Sequence, residues 1–230
     1  MTPDDKINDF AIRCFRDQGD DDYVSARMSF RSALVGPLLW SSLQMIEKYL
    51  KCILLLNRIS SKKMFHNLAF GLDAIRRSGK LDVALTRKTR DFIEHIDAFG
   101  RFRYLEVSNV AYGANLLQLD RTAWELRRYC SLDEAPRRLE LKHGLLPPTY
   151  RLPGGRLEGI VDSDSDRARR SLLWRNPFFG LRRRRKVGVD YWVKATNAPL
   201  YLNPEIFDEI ERLVLLPKDL VREYQRYRKP

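Results

Sequence analysis

Three absences narrow what this chain can be. Cysteine is scarce: Cys14, Cys52 and Cys130 are the only three in 230 residues. They are odd in number, far apart, and lie in helix-like stretches among apolar neighbours. With no CxxC pair and no Cys/His ligand spacing, neither a zinc site nor a disulfide framework is indicated. Small buried thiols in a reducing compartment are expected. Long apolar runs are missing as well. The stretch Cys52-Ile-Leu-Leu-Leu56 is typical of the longest, far short of the roughly 20 apolar residues that cross a bilayer. The start, Met-Thr-Pro-Asp-Asp, has no basic-then-apolar leader. The expectation is a cytoplasmic protein without membrane contact, metal or cofactor.

What is present is positive charge, at +12 overall. It is unevenly spread. Residues 151–186 hold 11 basic and 4 acidic side chains, so this one segment carries more than half of the excess. Its centre is Arg182, Arg183, Arg184, Arg185 and Lys186, flanked by Trp174, Phe178, Phe179, Tyr191 and Trp192. Guanidinium groups that neutralise phosphates beside rings that stack on bases suit single-stranded nucleic acid. The competing reading is a solvated basic loop whose aromatics anchor the extension to the rest of the molecule.

Hydrophobic periodicity divides the chain near residue 131. Thr2 can cap a first helix, with Pro3 at its first position and Asp4 and Asp5 in its first turn. Ile7, Phe10, Ala11, Cys14 and Phe15 would form its apolar stripe, and Gly19 would end it. A second helix opens at Asp20 with Tyr23, Ala26, Phe30 and Ala33 inward. A third runs from Pro37 to about Asn57, with Leu39, Leu43, Ile46, Leu50, Ile53 and Leu54 as its core face. Glu47 and Lys51 are spaced to pair on its wet side. Shorter helices follow at 66–77, closed by Gly79, at about 82–99, and at about 114–130. Beyond them lies an extension, 132–230. Its expected parts are a hairpin over 150–161 turning at Gly154-Gly155, a short helix up to Trp174, a short strand near Val187–Val193, and a terminal helix over 204–228. The fold class expected is mainly α: an up-and-down bundle over 1–131 with an extension of short strands and a terminal helix packing on it.

Four segments carry a resemblance. Asp22-Tyr-Val-Ser-Ala-Arg27, Leu43-Gln-Met-Ile-Glu-Lys-Tyr-Leu-Lys-Cys52, Phe65-His-Asn-Leu68 and Arg103-Tyr104 occur in an order and at spacings similar to those of HEPN domains (higher eukaryotes and prokaryotes nucleotide-binding). These are four- or five-helix bundles found in nucleotidyltransferase-linked toxins and RNA-cleaving defence proteins. The resemblance covers about residues 20–131. It implies an RNA- or nucleotide-binding bundle, non-catalytic or weakly catalytic, acting as a homodimer or docked on a protein partner. The alternatives it leaves are a metal-independent ribonuclease of a toxin or defence system, and a module that docks a nucleotidyltransferase-like protein. The family's nucleases place an Arg, a polar residue and a His near the last bundle helix, where Arg holds phosphate charge and His moves a proton. The matching position here is Arg103, or Arg101, followed by Asn109 and no His. Arg90 with His95 fits the same spelling, but inside a helix those residues lie about 140° apart. Arg101, Arg103 and Tyr104 are candidate phosphate and base contacts, together with the run 182–186. His66 is expected to orient its helix.

Overall fold

The computed structural model describes residues 2–64, 66–100, 109–141, 150–164, 166–179 and 192–195, with positions 208, 211, 212, 221, 222 and 225, which are helical. The described residues are mainly helical. Helix α1 (Pro3–Ala11) begins with a reciprocal cap. Thr2 Oγ1 accepts from the Asp5 amide at 3.2 Å, and Asp5 Oδ2 accepts from the Thr2 amide at 2.7 Å. The chain then continues without a stop at Gly19. Ile12–Asp17 forms a π-helical segment that runs straight into α2 (Gln18–Arg31).

That segment corrects two expectations. A π turn bonds i to i+5 and is wider than an α turn, so the apolar stripe written at α-helical spacing slips out of phase. Cys14 and Phe10 end up exposed, while Arg16 is buried. Gly19 breaks nothing because its role is proximity. A Cβ there would sit 2.9 Å from Cε1 of the Tyr49 ring, so only glycine lets the two helices come this close.

Helix α3 (Val35–Leu56) forms the centre, packed along α2 and touching α1, α4, α5 and α6. Its expected core face, Leu39, Leu43, Ile46, Leu50, Ile53 and Leu54, is buried throughout. Helix α4 (Leu68–Ser78) is capped by Asn67 and ends at Gly79 in the left-handed conformation, φ 63°. Helix α5 (Arg87–Phe99) is capped by Thr86. It starts later than residue 82, because Thr86 supplies the side-chain acceptor that the first turn needs. Strand β1 (Asn109–Tyr112) precedes α6 (Gly113–Arg127) and pairs antiparallel with β2 (Trp192–Ala195), Asn109 facing Ala195 and Tyr112 facing Trp192.

Residues 150–161 do not form the expected hairpin. Gly154 turns the chain with φ 63°, but Arg156–Asp162 is a helix, α7, followed by α8 (Asp166–Leu173). Both pack on α2, and Leu157, Ile160 and Leu172 share the main core. Phe178 packs on Trp124, ring centroids 6.0 Å apart, and Phe179 lies 5.5 Å from Tyr23. These two aromatics are therefore part of the folded interior. No helix among the described residues is long and apolar enough to cross a membrane.

Two buried ion pairs fasten α2 to α6. Each helix carries an aspartate and, seven residues later, an arginine: Asp20 and Arg27 on α2, Asp120 and Arg127 on α6. Seven residues are close to two helical turns, so both groups lie on one face. The helices run antiparallel, and each arginine meets the other helix's aspartate. Arg127 donates to both oxygens of Asp20, at 2.7 and 2.8 Å, and Arg27 Nη1 donates to Asp120. All four side chains are fully buried. Tyr49 and Tyr23 donate to Asp20 and Asp120 at 2.7 and 2.6 Å. Burial pushes both phenols well above their ordinary pKa of 10.0, so they act as donors throughout the physiological range. The remaining guanidinium donors reach the extension. Arg127 binds Glu158 of α7 at 2.6 and 2.9 Å. Arg27 donates to Ser171 O at 2.8 Å and to Trp174 O at the end of α8.

Candidate functional site

Where α3 meets the start of α4, a second polar group forms nearer the surface. Trp40, Gln44, Glu47 and Lys51 recur at helical spacing and fall within about 60° of one another around α3. This stripe lies outside the helix's apolar face. His66, just before α4, closes over it. Its Nδ1 is 2.7 Å from Glu47 Oε2, and its ring is 6.3 Å from that of Trp40. Lys51 Nζ donates to Glu47 Oε1 at 2.5 Å. Lys48, one step around the helix, donates to Asp22 of α2 at 2.5 Å. The backbone holds His66 in place: Asn67 caps α4 through Phe70 N at 2.8 Å, and Asp97 of α5 accepts from Leu68 N at 3.1 Å.

Glu47 was expected on the wet side of α3. Its side chain is only 5% exposed, whereas that of His66 is 58% exposed. The imidazole shields the carboxylate from water, which explains the difference. A buried carboxylate on one nitrogen fixes how an exposed imidazole is turned, and in this geometry a histidine can relay a proton. Gln44 Nε2 is buried and has no hydrogen-bond partner among the described residues. An unmet buried donor is costly to leave unpaired, and an oxygen acceptor would satisfy it. Burial raises the Asp22 carboxyl pKa, with Lys48 pulling the other way.

The residues picked from the sequence separate as follows. Arg101, Arg103 and Tyr104 lie outside the described residues, as do Arg182, Arg183, Arg184, Arg185 and Lys186. The last described residue before the first group is Gly100, where a Cβ would sit 2.9 Å from Leu43 Cβ. Asn109 is the first residue of β1. Arg90 and His95 both lie within α5 and are not brought together. Arg90 Nη1 donates to Leu85 O at 2.7 Å and borders a cavity of about 430 Å³ with Leu72, Ile75 and Leu81. His95 packs on Phe99, centroids 5.0 Å apart, and burial lowers its pKa below the ordinary 6.5. His95 does not line the Arg90 cavity.

Trp40 was not singled out from the sequence, although its position four residues before Gln44 and seven before Glu47 placed it on the same face. Among the described residues no group of three His, Cys, Asp or Glu side chains is arranged to hold a metal ion. Compared with protein-family models, with curated proteins and with solved structures, the chain matches none.

Proposed function

We propose that this is a HEPN-like helical bundle that binds RNA or nucleotides through the Trp40–Gln44–Glu47–Lys51 face of α3 and His66. One observation carries the reading: a ring, an amide donor unmet among the described residues and the Lys51 ammonium lie on one helical face. An indole can stack on a base, and lysines can neutralise phosphates. The net charge of +12 favours a polyanionic partner. Filter binding to a single-stranded RNA oligonucleotide tests it. Affinity falling linearly with the logarithm of salt, and weakened by Trp40→Ala, is the expected result. Binding that ignores both salt and Trp40 would overturn it.

The hydrogen bond from His66 Nδ1 to Glu47 Oε2 favours a second reading, a metal-independent ribonuclease. His66 would take the 2′-hydroxyl proton as that oxygen attacks the adjacent phosphate and the P–O5′ bond breaks, leaving a 2′,3′-cyclic phosphate and a 5′-hydroxyl protonated from water, and Lys51 would hold the developing charge. RNA cleavage in EDTA that is lost in His66→Ala and kept in His95→Ala supports this reading. Equal cleavage by the wild type and His66→Ala excludes it.

A further inference from the structure

Arg90 does not meet His95, but the cavity it borders has a chemistry distinct from that of the α3 face. This cavity, of about 430 Å³, lies where the end of α4 faces the start of α5, beside the segment 79–86 that joins them. Cavities of roughly 300–1,000 Å³ are the size that takes a small molecule. The wall is aliphatic: Leu72 and Ile75 come from α4, and Leu81, Val83 and Leu85 from the joining segment. Ile75 is buried, and the other four are partly buried and pack against the main core. Helix α6 pins the joining segment. The Ala84 amide donates to Tyr129 Oη at 3.0 Å, Arg128 Nη2 donates to Ala84 O at 2.9 Å, and the Thr86 amide donates to Glu125 Oε2 at 2.8 Å. The wall is therefore preformed.

One cation at the rim has bonding capacity left. Arg90 is exposed and uses one donor, Nη1, on Leu85 O at 2.7 Å. Its other guanidinium nitrogens have no hydrogen-bond or ion-pair partner among the described residues. The bond to Leu85 holds the guanidinium beside Thr86, the cap of α5, where the positive end of the helix dipole also favours an anion. The remaining charges set how large that anion should be. Asp73 is bonded by Arg76 at 2.7 Å and by Arg77 at 2.8 Å, and Asp82 also lines the cavity. With Arg90, three arginines stand here against two aspartates, so one negative charge completes the group. A dianionic phosphate would overshoot it, and a neutral apolar molecule would leave Arg90 unused. A carboxylate brings a single charge and two oxygens that suit a guanidinium fork, while an aliphatic body would cover the wall. We propose that this cavity binds a small aliphatic monocarboxylate, its carboxylate on Arg90 and its body against Leu72, Leu81, Val83 and Leu85. The site uses neither the α3 face nor His66 and does not depend on what that face binds.

Calorimetric titration at fixed ionic strength tests the cavity with four probes: hexanoate, acetate, hexanamide and hexyl phosphate. Hexanoate should bind saturably, one per chain. Each buried methylene is worth roughly fourfold in affinity, so acetate should bind about tenfold more weakly or worse. Hexanamide keeps the body but lacks the charge, and losing a hydrogen bond between charged groups should weaken it by about tenfold as well. Hexyl phosphate should gain nothing over hexanoate. Arg90→Gln should weaken hexanoate by about tenfold and leave hexanamide unchanged, which separates loss of the charge from collapse of the cavity. Arg87→Gln removes an exposed arginine of the same helix that does not line the cavity, and it should change neither affinity. No saturable binding of hexanoate, equal affinity for hexanamide, or tighter binding of hexyl phosphate would each overturn the proposal. So would an Arg90→Gln variant with wild-type affinity, or equal losses in Arg87→Gln and Arg90→Gln, which would show attraction by overall charge alone.

Discussion

The α2–α6 contact and the α3 face both place charged groups at helix junctions, yet they are built to opposite ends. Between α2 and α6 the aspartates and arginines are sealed from water and heavily bonded, each arginine reaching beyond its aspartate to the extension. On α3 the polar groups reach the surface through His66, and the Gln44 amide is unmet among the described residues. Desolvating two charges costs more than an ordinary pair returns unless every donor finds an acceptor. The guanidinium nitrogens of both arginines meet that condition, although Asp120 Oδ2 is buried without a partner among the described residues, so the pairs specify how helices and extension fit together. A group with bonding capacity left over near solvent is the one that can receive a ligand.

The largest test of this contrast is Arg127→Ala. It leaves Asp20 and Glu158 without their cation and should cost about 3–5 kcal/mol in urea unfolding. Replacing the pair together, Asp20→Leu with Arg127→Met, should recover only part of that, because Asp20 is then no longer stranded while Glu158 still lacks its cation. Next is Gly19→Ala. The added methyl meets a Tyr49 ring that its bond to Asp20 holds in place, and overpacking of this kind costs about 1–3 kcal/mol. A smaller loss is expected from Glu47→Ala, on the order of 1 kcal/mol, since both partners of Glu47 are partly solvated.

Acid should act through Glu158. Its burial favours the neutral form, but the bonds and charge of Arg127 outweigh this and hold its pKa below the ordinary 4.5. A depressed carboxyl pKa contributes stability that is complete above 4.5 and fades as pH falls through the lower folded value. Glu158→Gln should therefore be less stable than wild type near neutrality, with the gap narrowing as pH drops below 4.5. A constant gap from pH 6 to pH 3 would show that Glu158 is not titrating against Arg127.

Much of the bundle was legible in local signals. Thr2 and Pro3, the core period of α3, and Gly79 each act within a few residues, so sequence alone carries them. The π segment has no such signature, and its phase slip misplaced Cys14. The Gly154-Gly155 pair misled for another reason. Gly154 does make a turn, but Gly155 is small so that Glu158 can approach: a Cβ there would lie 2.0 Å from Glu158 Oε2 and 2.8 Å from Arg127 Nη2. The Arg127 part of that constraint comes from 28 residues away in the chain and cannot be read locally. The reciprocal aspartate and arginine spacing on α2 and α6 was not singled out from the sequence, and which partner each charge would find depended on the packing. The candidate face shows the same division. Gln44, Glu47, Lys51 and His66 lay in the segments that carry the family resemblance, but Glu47 and Lys51 were read only as a surface pair and His66 only as orienting its helix, because the closure of His66 over Glu47 is a tertiary fact.

The most direct test of the account is the salt dependence of RNA binding by the wild type and by Lys48→Gln combined with Lys51→Gln. Each lysine sits in a partly solvated ion pair worth at most about 1 kcal/mol, so the variant should stay folded with a small drop in melting temperature. Its slope of log affinity against log salt should fall by about one for each lysine removed. A folded variant whose slope and affinity equal those of the wild type would contradict the assignment of RNA binding to the α3 face.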